Sequence, residues 1–341
     1  MAFRVFLHAV CLFWALSIGA AAALAETAAE FYRGKVVKLV VGYGAGGGYD
    51  TYARMLAPHL EERLGATVVV ENRPGGGGIV ALNQVAAAKP DGLTVMLISA
   101  GSAAFGQITG AEGVRYDLNT IGFLGRVVDD KRAVLWSTRS PYRTVEDALR
   151  SPRPILLGAT SRTDTIAATA AFFAEALGLD IKIVAGYKGT KEVALAALRG
   201  EVDGFTVSDS SARRYQKDDG LTASVILSRE RSKLLPDLPT VFEVVSVTEA
   251  QAWWIDYIDA LMSLGRALIT TPDVPDDRLA LLREAVRDVL TDPKVIDEAN
   301  AKRRPLNYAS ADAAKQRIDT VIGSLSEEQL ANVRHVAQEK Y

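Results

Sequence analysis

The sequence predicts an α/β protein built as two lobes, on three observations. Short apolar runs end abruptly in glycine or small polar residues, as buried strands do. Each run leads through a small-residue loop into apolar residues at helical spacing, and this unit opens near Val36 and returns near Ile155. From Leu234 on, the tail is Pro-rich at first, then reads as helices without strands, so it is expected to pack back on the first sheet and make the first lobe discontinuous.

Residues 36–50, VVKLVVGYGAGGGYD, organise the rest. The valine-rich run reads as a strand, and Ala53, Leu56, Ala57, Leu60 and Leu64 mark the helix after it, with Pro58 expected to bend it or cost it a hydrogen bond. Between them, Gly44, Gly46, Gly47 and Gly48 let the backbone approach a ligand, and the first N–H groups of the helix are left without intrahelical partners. Such a helix start attracts anions. Next come a strand at 67–71, a second glycine loop at 72–78, a helix from Ile79 and a third strand at 94–99 that runs into Ala100, Gly101 and Ser102. The alternation is that of a parallel sheet covered on both faces.

The rhythm changes near Gly125. A strand at 133–138, a helix start at Thr144, a strand at 155–159, a polar loop at 160–165 and a helix at 166–177 repeat the opening motif with hydroxyls in place of glycines. A strand at 181–185, the loop at 187–190, a helix through Leu198, a strand near Phe205 and another at 224–227 complete the second lobe. In the tail, Leu279, Leu282, Val286 and Val289 form one helical stripe, and 311–322 and 327–338 two further helices. The division expected is a signal peptide at 1–25, a first lobe of 26–124 with 229–341, and a second lobe of 125–228.

Arg4, an apolar stretch at 5–18 and the Ala23-Leu24-Ala25 end match a cleaved secretory signal, which points to a periplasm. The sole cysteine, Cys11, leaves with that signal, so neither a disulfide nor a thiol nucleophile is expected. With 39 basic and 41 acidic residues the chain shows no electrostatic footprint for nucleic acid or a membrane surface.

Gly42, Gly44 and Gly47 satisfy a G-x-G-x-x-G spacing, and Glu71 stands where a ribose-binding acid would end the next strand, so an exported nucleotide enzyme is one reading. The bulk of Tyr43 and Tyr49 and the second glycine loop weigh against it. No H-E-x-x-H, G-x-S-x-G or phosphate-loop motif occurs, and outside the leader only His59 and His335 remain. The residues favour binding over catalysis: two lobes, each presenting a helix N-terminus from a small-residue loop, can close on one anion. A ligand-sensing partner of a sensor kinase would use the same closure.

The stretches GYGAGGGYD at 42–50, TYARMLAPHLEERLGATVVVENRPGGGG at 51–78, AAAKPDGLTVML at 86–97, YKGTKEVALAALRGEVD at 187–203 and LPDLPTVFEVV at 235–245 resemble the periplasmic solute-binding receptors of tripartite tricarboxylate transporters, the Bug-type family. The resemblance implies a type II periplasmic binding fold of two α/β lobes joined by two crossovers; a monomer without cofactor, metal or catalytic residue is expected. It implies a cleft for a small carboxylate, which is passed to one small and one large membrane subunit. Carried onto this sequence, the ligand-binding set becomes Tyr43, Gly44, Gly46, Gly47, Gly48, Tyr49 and Asp50 from the first loop and Thr160, Ser161, Arg162 and Thr163 from the second-lobe loop. Ser99, Gly101, Ser102, Tyr187, Ser208 and Asp209 close the cleft. The chain departs from the family pattern at Tyr43, Ala45, Tyr49, Arg162 and in residues 253–266; Arg162 is assigned to a second acid group of the ligand.

Overall fold

A computed structural model describes residues 26–216 and 220–341. The leader expected at 1–25 lies outside the described residues. Strands β1 (Val36–Val41), β2 (Thr67–Asn72), β3 (Thr94–Ser99), β4 (Gly122–Val128), β10 (Arg266–Thr270) and β11 (Ala309–Ser310) form one sheet in the order β11-β4-β10-β3-β1-β2. Strands β5 (Arg132–Ser137), β6 (Ile155–Gly158), β7 (Ile181–Val184), β8 (Gly204–Ser208) and β9 (Leu221–Ile226) form the other, in the order β7-β6-β8-β5-β9. The chain passes to the second sheet between β4 and β5 and returns between β9 and β10. The boundary expected at residue 125 falls inside β4, which runs whole in the first sheet.

Both sheets are mixed rather than parallel. The strands joined by crossover helices do pair in parallel, β1 with β2 and β3, and β6 with β7 and β8. The strands that arrive from the other sheet run antiparallel: β10 against β3 and β4, and β5 against β8 and β9. The tail therefore does own strands, and β10 sits in the middle of the first sheet. Five apolar-leaning residues after a long helix are a weak signal until a sheet accepts them on both edges.

Alternation along β1 sends Val40 to a central layer and Leu39 and Val41 to an outer one. The outer layer is the helix Gly48–Leu64, which continues through Pro58, together with Asp276–Thr291, where Leu282, Val286 and Val289 are buried as their spacing predicts. The central layer is shared by both sheets. It consists of the helices Ala100–Thr109, Thr165–Leu177 and Glu249–Ser263, tied by Phe172, whose ring lies 5.9 Å from Phe105 and 5.1 Å from Trp254. Residues 253–266, unusual for the resemblance, thus supply a core helix and the start of β10.

Candidate functional site

The carboxyl ends of β1, β3 and β8 and the first residues of β5 and β10 converge on a cavity of about 30 Å³ between the two sheets. Ligands of open α/β sheets sit at such strand ends. Six of the expected residues line it: Tyr43, Gly47, Gly48, Tyr49, Ser99 and Ser208. The strongest charges there come from Asp130, Arg132, Asp164 and Arg266.

Arg266 opens β10 and is 3% exposed. Its Nη1 donates to both oxygens of Asp130 at 2.6 and 2.7 Å and its Nη2 to Ser208 Oγ at 3.1 Å, while its guanidinium lies 4.9 Å from the ring centres of both Tyr49 and Tyr52. Burial works against its charge, but Asp130 together with Tyr49 and Tyr52 outweighs this and raises its pKa. Its Nε is buried and has no partner among the described residues. Arg132 opens β5 and is 8% exposed. It donates to Thr165 Oγ1 and to Met262 Sδ, both at 2.7 Å, and no carboxylate stands within ion-pair distance of it among the described residues. Burial lowers its pKa, yet a guanidinium stays protonated.

The helix starts differ in what they offer. Gly47 caps Gly48–Leu64 without a side chain, and Gly47 and Gly48 line the cavity, so the first-turn amides face it unblocked. Gly189, which precedes Thr190–Arg199, does the same. The start of Thr165–Leu177, expected to hold the ligand's acid, is instead occupied by the protein's own Asp164, whose Oδ1 accepts from Ile166 N at 2.9 Å and Ala167 N at 2.8 Å. Burial pushes the Asp164 carboxyl up to about 6 even though these amides and Arg132 oppose it.

The remaining expected residues lie elsewhere. Gly44 N donates across to Lys188 O at 2.8 Å, and Gly46 N donates to Asp50, which also binds Arg54, so Asp50 stiffens its own loop. Gly101 is a packing position, since a Cβ there would stand 2.6 Å from Leu261 O. Ser102 Oγ accepts from Thr165 N at 3.2 Å and lines a neighbouring apolar pocket. Thr160 donates to Asp164 and, with Tyr187, lines an outer space beside Tyr43. Ser161 and Thr163 bond each other in their own turn, and Asp209 is held by Ser232 and Ser210 N outside the cavity. Arg162 is exposed and donates to the main-chain oxygen of Tyr341 at 2.8 Å, and it is not among the residues lining the cavity. Glu71, the ribose-acid position of the nucleotide reading, pairs with Arg73 and Lys38.

Arg132 and Arg266 are what the sequence reading missed. Each is a cation at the first position of an otherwise apolar strand, directly after a crossing between sheets, and that placement was the available signal.

Residues 52–322 match the family described as the tripartite tricarboxylate transporter family receptor. Protein BugT of Bordetella pertussis is 26% identical over 242 residues, which cover 67% of this chain and 71% of BugT. The solved periplasmic binding protein BugD shares the fold at a TM-score of 0.74 and 24% identity, over 90% of this chain and 98% of its own. MatC of Rhodopseudomonas palustris, solved with bound malate, superposes at 0.69 with 21% identity, over 89% of this chain and 99% of its own.

Proposed function

We propose that this chain, which belongs to the tripartite tricarboxylate transporter receptor family, captures a small carboxylate-bearing solute between its sheets and passes it to two membrane subunits. The family is one of solute-binding receptors, so no reaction is assigned to the cavity and the nucleotide-enzyme reading is set aside. The observation that carries the proposal is Arg132: a buried guanidinium with no carboxylate within ion-pair distance among the described residues, on the wall of the cavity beside the open amides of Gly48 and Tyr49. A charge-assisted hydrogen bond contributes about 1.5–3 kcal/mol, and the helix start adds about 0.3–1 kcal/mol, or ~2 when partly buried. The bound malate of MatC, a protein of the same fold, supports an acid as the solute class.

A cavity of about 30 Å³ has room for little more than water, so a diacid enters when the sheets part at their crossings. We take each sheet with its helices as one lobe, the protein as a monomer, and the periplasm, reached through the leader at 1–25, as its compartment. Thermal melts of residues 26–341 with aliphatic mono-, di- and tricarboxylates, amino acids and NAD test the reading, because a ligand of the folded state alone raises the melting temperature. An acid is expected to stabilise the protein and NAD is not. Arg132→Met, which keeps the bulk beside Met262, is expected to lose about tenfold or more in affinity. Equal affinity in that variant, or stabilisation by NAD alone, overturns the proposal.

A further inference from the structure

We propose that Tyr43 is the partition that sets how long a solute the cleft accepts. This deepens the carboxylate reading and rests on it. The Tyr43 side chain borders three separate spaces: the charged cavity of about 30 Å³, an apolar pocket of about 20 Å³ against Leu82 and Met96, and an outer chamber of about 130 Å³. The outer chamber lies between the 74–77 glycine loop of the first sheet and Thr160, Tyr187 and Lys188 of the second. Tyr43 lines both this chamber and the charged cavity.

The ring is held in that place. Its hydroxyl donates to Gly77 O at 2.8 Å, its face stacks on Tyr49 at 4.6 Å, and its own carbonyl accepts from Asn72 Nδ2 at 3.0 Å. Gly78, beside the phenol end of the ring, takes φ 101°, a backbone conformation that favours glycine. The two walls of the partition also differ in charge. Arg132 and Arg266 line the inner side, and Lys188, which forms no ion pair among the described residues, lines the outer side. With the ring in place, an acid must fit beside the guanidiniums; without it, a longer diacid runs from Arg132 to the Lys188 side. Discrimination then comes from exclusion by a wall as well as attraction to a charge.

Isothermal titration of malonate, succinate, adipate and suberate into wild type, Tyr43→Ala and Tyr43→Phe tests the assignment. In wild type, suberate is expected to bind more weakly than succinate. In Tyr43→Ala the suberate-to-succinate affinity ratio is expected to rise at least about tenfold, the discrimination one or two methylenes give in a fitted pocket. Tyr43→Phe keeps the wall and is expected to keep the wild-type ratio. If Tyr43→Ala loses its cooperative melt, Tyr43→Leu, which shortens the wall and keeps apolar bulk, carries the same expectation. An unchanged ratio in the short variant, or an equal rise in Tyr43→Phe, overturns the partition alone. Absence of any diacid binding to all of these proteins overturns the carboxylate reading with it.

Discussion

Asp164 lines the cavity, and its carboxyl is held above the ordinary carboxylate range. Burial lifts its carboxyl from the ordinary 3.8 to about 6, so the folded protein holds a proton that the unfolded chain has already shed. The sign follows. Its contribution to stability is complete below about pH 4 and is lost as pH rises through about 6. Asp164→Asn is expected to keep the helix cap and to remove that pH dependence, read as the difference between the two melting curves across this window. The same carboxylate, once ionised, repels a bound acid; the variant should bind a diacid more tightly than wild type near neutral pH and equally well once Asp164 is protonated. Comparing the two proteins cancels the titration of the solute itself. Parallel pH profiles for stability and binding would show that Asp164 has no such role. The glycine loop was legible because glycine reports backbone needs locally, whereas Arg132 and Asp164 acquire meaning only when two sheets meet around them.

At the scale of elements, the strands and helices joined by short crossovers were readable from periodicity, and β1 with the helix Gly48–Leu64 lies where the pattern put it. What escaped was set by distant pairing. The helix Ala100–Thr109 starts directly at the end of β3, where the sequence pattern runs the strand into Ala100, Gly101 and Ser102 without signalling a helix; small residues favour turns locally and here permit close helix packing instead. Gly101 shows the tolerance: a Cβ would meet the backbone oxygen of Leu261 at 2.6 Å, and backbone within a packed helix cannot swing aside as a side-chain end can. Gly101→Val is expected to push Ala100–Thr109 and Glu249–Ser263 apart and to destabilise the protein by about 1–3 kcal/mol, measured as a lower urea midpoint at unchanged slope. An unchanged midpoint would mean that this contact yields freely. Gly65, which ends Gly48–Leu64 at φ 64°, is expected to matter for its conformation alone, with nothing within 4 Å.

For the whole molecule the question is what holds the two sheets together when the cavity between them is so small. Part of the answer is apolar and shared: the buried Phe105, Phe172 and Trp254 layer, which packs between both sheets. The rest is polar. Gly44 N bonds Lys188 O, Ser102 bonds Thr165, and the chain's end forms a strap: Arg334 donates to Ile108 O beside the first sheet, while Lys340 and Tyr341 reach Glu175 on the helix Thr165–Leu177 at 2.6 and 3.1 Å. Arg162 joins the strap by donating to the main-chain oxygen of Tyr341. Surface pairs of this kind add about 0–1 kcal/mol each to folding, but an open-to-closed equilibrium is itself poised within a few kcal/mol. The double variant Arg162→Ala with Glu175→Ala is therefore expected to melt within about 1 kcal/mol of wild type and yet to favour the open form. Small-angle scattering without solute should give a larger radius of gyration than wild type, and solute affinity should fall by up to about tenfold, the factor that 1.4 kcal/mol of lost closure supplies. Unchanged scattering together with unchanged affinity would place the strap outside the closing equilibrium, whereas a large loss of melting temperature would make it part of the core.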